Sequence, residues 1–165
     1  MAWLLDANVF IQAKNLHYGF DFCPGFWDAL EHLNRGARLF SVSKVQEELA
    51  RGDDDLKDWA ATRGPRFFLP PDEATMEAFR RVATWVTTSG RYETSAHARF
   101  LSGADPFLVA HALAHGLTVV TSERPADTPK KVKIPNVCLG LGVRYATIFV
   151  CLGAEQVRLG LIAPP

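Results

Sequence analysis

Cysteine is scarce in this chain of 165 residues: there are three, Cys23, Cys138 and Cys151. They form no CxxC pair, and an odd count suits no disulfide framework, so reduced thiols and a cytoplasmic setting are expected. Neither sign of charge is in excess. Lys plus Arg is 18 and Asp plus Glu is 18, so the formal net charge is zero. Overall charge therefore signals no nucleic-acid partner, and only local clustering can. No apolar run is long enough to span a bilayer, and the N-terminus has neither the basic nor the long apolar region of a signal peptide. Internal repeats and interdomain linkers are lacking too. Residues 1–165 read as one domain, long enough to bury a sizeable core. What remains is ordinary globular material, 48% hydrophobic and 22% charged.

The apolar residues fall into alternating periods. Residues 2–5 read as a short buried strand, with a short helix opening at Asn8 and running to Lys14. Gly19, Pro24 and Gly25 then break regularity, and a helix over 24–34 is closed by Gly36. Residues 38–42 (RLFSV) form a second strand. Ser43 stands as an N-cap with Gln46 three residues on, a capping box for the helix KVQEELAR that stops at Gly52. Further helices are expected over 53–63 (Leu56, Trp59 and Ala60 on one stripe), 72–88 (Met76, Phe79, Val82, Ala83 and Val86) and 93–101, with RFFL (66–69) a short strand. Asp105-Pro106 opens a strong helix, Asp as cap and Pro at its first position, which Gly116 ends. LTVV (117–120) is the clearest strand. SERPADTPKKVKIPN reads as a loop, VCLGLGV and YATIFVCL as a last strand and helix, and LIAPP says nothing. Strands alternating with helices imply an α/β fold, a three-layer sandwich around a mainly parallel sheet.

In such sheets ligands bind at the carboxyl ends of the strands. Asp6 ends the first strand, Glu48 lies on the helix after the second, Asp105 begins a helix, and Glu123 follows LTVV closely. Four acids distant in sequence thus fall at one rim. Alone, such carboxylates would raise one another's pKa and destabilise the fold; a divalent cation removes that penalty. All-oxygen donors favour Mg²⁺ or Mn²⁺ over zinc, and a carboxylate-held Mg²⁺ commonly binds substrate phosphates. The reaction class implied is metal-assisted phosphodiester hydrolysis, with water as nucleophile and no covalent protein intermediate.

The ordered set LLDANVF, SKVQEEL, ADPFLVAHALAHG and TVVTSE, spanning residues 3–123, resembles the PIN-domain nucleases. The segments HYGFDFCPGFW and KIPNVC resemble a PIN subfamily related to VapC-type toxins of toxin–antitoxin pairs. The resemblance implies a PIN-like fold and a Mg²⁺- or Mn²⁺-dependent endoribonuclease acting on RNA. It also implies a homodimer held inactive by a cognate antitoxin. Asp6, Glu48 and Asp105 match the family's first three acids. Glu123 stands where a closer Asp is common, with Asp127 as the fallback. Asn8 matches the polar residue two after the first acid and is expected to orient Asp6, with Thr121 or Ser122 in similar supporting work.

Other features have plainer readings beside functional ones. Glu47 adjoins Glu48 and is the alternative ligand. His111 and His115 are four apart, but without HExxH or a nearby cysteine they read as ordinary helix histidines. Arg124, Lys130, Lys131 and Lys133 form a basic cluster next to the acids that suits phosphate contact, and Lys14 is a further candidate. Tyr18, Phe20, Phe22, Phe26 and Trp27 read mainly as core, with some available to stack on bases or fill an antitoxin groove. Gly140 and Gly142 fall short of a GxGxxG set. The rival functions are a non-catalytic PIN-like scaffold, a structure-specific DNA nuclease, and a phosphatase-like domain with an Asp nucleophile. The last loses ground because Asn8 replaces a second acid.

Overall fold

The structure is a computed structural model and describes residues 2–160. Its first strand, β1 (Trp3–Leu5), is wholly buried, as expected of a parallel strand covered on both faces. After Asp6 the chain turns directly into α1 (Ala7–Gln12), which runs on as a π-helical turn over Ala13–His17. The helix α2 (Pro24–Arg35) starts on its proline and buries Phe26, Trp27, Leu30 and Leu33 along one stripe. There follow β2 (Leu39–Val42), α3 (Ser43–Leu49), α4 (Asp55–Ala61) and β3 (Phe68–Leu69). Next come α5 (Glu73–Thr88), α6 (Thr94–Leu101), α7 (Asp105–His115) and β4 (Thr118–Val120). The last elements are α8 (Ile134–Leu141), β5 (Tyr145–Ala146) and α9 (Ile148–Ala154).

Among the described residues the strands form one parallel sheet in the order β3-β2-β1-β4-β5. Leu4, Leu5, Val119 and Val120 are fully buried at its centre. The chain builds outward from β1 in one direction through β2 and β3, then returns to the other side through β4 and β5. The strand order therefore reverses between β1 and β4, which leaves a crevice outside their carboxyl ends. Asp6 and Thr121 are the residues that immediately follow those two strands.

Several local expectations need correction. Ser43 makes no capping bond; α3 is capped at Val42 without a side chain, and Gln46 instead donates to the carbonyls of Ala60 and Arg63 (2.9 and 2.8 Å). Gln46 thus ties α3 to the end of α4 rather than closing its own helix. Asp105 is not the cap of α7; it is the first helical residue, after Ala104, and its carboxylate caps nothing. The segment read as one loop ends earlier, because Ile134-Pro135-Asn136 already opens α8 with Pro in its first turn. VCLGL is helix, and the last strand is the two-residue Tyr145–Ala146. Met76 is exposed, and Thr75 is buried in its stead. The tail LIAPP lies outside the described residues.

Candidate active site

Asp6 is only 1% exposed. Its backbone N–H donates to the Val120 carbonyl (2.9 Å), which fixes the turn out of β1 against β4. The Thr121 hydroxyl donates to Asp6 Oδ2 (2.8 Å) and accepts the Glu123 backbone N–H (3.1 Å). One buried side chain thus sets both the first acid and the turn that carries the fourth. Burial pushes the Asp6 carboxyl up to about 6, against the Thr121 hydrogen bond; the charges of Glu123 and Glu48 raise it further. Asn8 is exposed, and its backbone N–H, not its side-chain amide, eases the charge on Asp6.

Asp105 stands at the start of α7, a helix packed on β1, β2 and β4. Its carboxyl is pushed up to about 7, first by burial and then by the charges of Asp6, Glu123 and Glu48, with Lys131 acting in the opposite sense. Among the described residues, neither Asp6 nor Asp105 forms an ion pair. Glu48 is exposed on α3 and acts on both of them, whereas Glu47 pairs with Lys44 (2.8 Å).

Glu123 is differently placed. Its side chain is 9% exposed; it accepts from Lys133 Nζ (3.1 Å) and from the Ile134 backbone N–H (2.9 Å), with Lys131 Nζ at 3.4 Å. Its charge is already compensated, and it fastens the start of α8 to the sheet. Asp127 is exposed and acts on Tyr92 rather than on the other acids.

Among the described residues no three Asp, Glu, His or Cys side chains stand close enough to form a ready cage for an ion. The donor set fits a hard cation at one point only. Asp6 and Asp105 are carboxylates whose ionisation burial opposes and which, among the described residues, form no ion pair. Mg²⁺ is commonly held by one or two carboxylates with the remaining positions left to water and phosphate.

The flanking candidates divide. Lys131 and Lys133 stand beside Glu123, while Arg124 and Lys130 are exposed on the same loop. Lys14 pairs with Asp54 (2.8 Å), whose carboxylate also caps α4. Ser122 is exposed and bonds to none of the acids. Sequence reasoning named Tyr18, Ser122 and Arg124 but missed Gln12, His17 and Phe149, which line a cavity with them beside Glu123. The π-helical turn that creates it leaves no periodic signature.

His111 and His115 belong elsewhere. His111 is buried, with Nδ1 3.0 Å from the Thr75 hydroxyl, and that hydroxyl donates to Asp72 Oδ1 (2.7 Å). The single hydroxyl proton is therefore spent on Asp72, so the His111 Nδ1–H is the donor to Thr75. Burial lowers His111 to about 4, and it is neutral. His115 Nε2 lies 3.0 Å from Asp72 Oδ2. These residues clamp α5 to α7.

The fold is similar to that of solved proteins. VapBC2 from Rickettsia felis, in a structure bound to a DNA fragment from their promoter, shares 16% identity over 89% of this chain and 98% of that one, with a TM-score of 0.56. FitAcB from Neisseria gonorrhoeae shares 20% identity over 87% and 95% of the respective chains, with a TM-score of 0.52. At such identities the likeness establishes the fold, a PIN-like parallel α/β sandwich. No curated protein matches the sequence. A family described as a domain of unknown function, DUF4411, matches residues 3–159. With nearly its whole length matched, the chain belongs to the DUF4411 family, here in a PIN-like fold.

Proposed function

We propose that this protein is a Mg²⁺- or Mn²⁺-dependent endoribonuclease, the toxin of a toxin–antitoxin pair, working in the cytoplasm as a homodimer restrained by an antitoxin. The observation that carries the reading is the placement of Asp6 and Asp105 at the crevice where the strand order reverses, both with suppressed acidity and neither in an ion pair among the described residues. Asp6 and Asp105 would hold the cation, with exposed Glu48 within electrostatic reach of both. A cation held there supplies Lewis acidity toward a water and a phosphoryl oxygen. The Thr121 hydroxyl keeps Asp6 in place. Lys131 and Lys133 offer positive charge to the RNA backbone beside the acids, as phosphate contacts require. The likeness to VapBC2 and FitAcB supports an antitoxin partner. Among the described residues no helix is long and apolar enough to cross a membrane.

The test is cleavage of single-stranded RNA by freshly purified protein with Mg²⁺ or Mn²⁺. Wild type should cut, and EDTA should abolish cutting. Asp6→Asn should keep the fold, checked by circular dichroism, and lose activity at least a hundredfold, a magnitude typical of a removed electrostatic catalytic group. Equal cutting by wild type and variant would remove Asp6 from the reaction. Cutting of DNA but not RNA would make the substrate DNA, and binding of partner without any cutting would leave a scaffold.

A further inference from the structure

Beside the acids, a cavity of about 280 Å³ opens between the end of α1 and the start of α9. Glu123 belongs to its wall and follows Thr121, whose hydroxyl donates to Asp6, so the cavity adjoins the acids. The π-helical turn carries His17 to its edge, and the chain then places Tyr18. The Tyr18 ring is stacked on buried Phe26, with centroids 4.3 Å apart and planes 7° apart. Across the opening stands Phe149, 59% exposed on the first turn of α9, in edge contact with His17 at 6.2 Å. An aromatic ring this exposed at the mouth of a cavity has surface to offer a ligand. The polar groups of the wall are available as well: Gln12, Ser122 and Arg124 make no side-chain hydrogen bond among the described residues.

The geometry points to this cavity as a seat for one unpaired base of the RNA strand whose backbone lies at the carboxylates, an inference that rests on the ribonuclease reading above. The volume lies just below the usual range of small-molecule pockets, so it suits one ring system. Aromatic edges and faces together with free donors and acceptors are the means by which unpaired bases are held. Arg124 lines the cavity and forms no ion pair among the described residues, so its charge is open to a phosphate backbone, which favours a nucleic-acid strand as occupant.

The test uses a fluorescein-labelled single-stranded decaribonucleotide, intact or with an abasic ribose at each position in turn, bound in EDTA and followed by anisotropy. Phe149→Ala should weaken binding of the intact strand about tenfold, within the range for one stacked base, and Phe149→Trp should restore it. One abasic position should weaken wild type to a similar degree and lose nothing further in Phe149→Ala, the coupling expected of two groups in contact. If Phe149→Ala binds like wild type while wild type cleaves the strand with Mg²⁺, the base seat is wrong and the nuclease reading stands. Equal loss for intact and abasic strands would also overturn the seat. If wild type neither binds nor cleaves RNA, both readings fall together.

Discussion

Replacing Asp105 with asparagine should make the metal-free protein more stable at pH 8 and leave it nearly unchanged at pH 4. In the folded state the carboxyl is held at about 7, against an ordinary value of 3.8. Between these values the folded protein keeps a proton that the unfolded chain has released. The unfolded state then binds fewer protons, and stability falls as pH rises. The stabilising contribution is complete below pH 4 and is lost as the pH passes through about 7. The gap from 3.8 to about 7 corresponds to about 4 kcal/mol. Part of it comes from Asp6, whose own burden eases when Asp105 is neutralised, and Asp105 keeps partial contact with water; about 2 kcal/mol is the working figure. For a domain of this size that is a rise of roughly 4–8 °C in Tm. The assay is thermal melting of both proteins in EDTA at pH 4, 6 and 8. Saturating Mn²⁺ should invert the order at pH 8, since a ligand at a hundred times its Kd adds about 2.7 kcal/mol to the form that binds it. A variant less stable than wild type at pH 8 in EDTA, or a difference that does not change with pH, would refute the reasoning.

Three further outcomes follow from named contacts. Thr121→Val removes the donor to Asp6 and the acceptor of the Glu123 N–H, and should cost about 1–3 kcal/mol in urea denaturation; an unchanged midpoint would mean that the hydroxyl holds nothing. Gly140→Ala places a Cβ on the Trp85 ring between α8 and α5, so overpacking should cost about 1–3 kcal/mol, while the same change at exposed Gly153, where nothing stands near, should not destabilise. His111 is held at about 4 from an ordinary 6.5, so its contribution is full above pH 6.5 and is lost as the pH falls through about 4. The stability difference between wild type and His111→Gln, measured by denaturant titration from pH 7 to 4, should therefore shift against wild type in acid; a constant difference would place the proton elsewhere.

The first four strands and most helices were legible because they are short apolar runs and strong periodic stripes, whereas VCLGL, apolar enough for a strand, is helix and the last strand is Tyr145–Ala146. Leu56, Trp59 and Ala60 bury as their spacing demands, and Gly116 ends α7 at φ 67°. The two misread caps share one cause: a polar side chain that serves the tertiary structure looks, in sequence, like a local cap. Gln46 bonds to α4 rather than to its own helix end. Asp105 reads as a cap because Pro follows it, yet its carboxylate is left for the crevice. The acids Asp6, Glu48, Asp105 and Glu123 could be picked out by their places relative to strands and helices. Their unequal states could not, since the lysines that compensate Glu123 and the burial that weakens Asp6 arise only from packing.

The most direct measurement is the anomalous diffraction of manganese in crystals grown at neutral pH. A peak within ligand distance of both Asp6 and Asp105, lost in Asp105→Asn, is the expected result. A peak at Asp72 and His115 instead, or none in the crevice while RNA is cleaved, would contradict it.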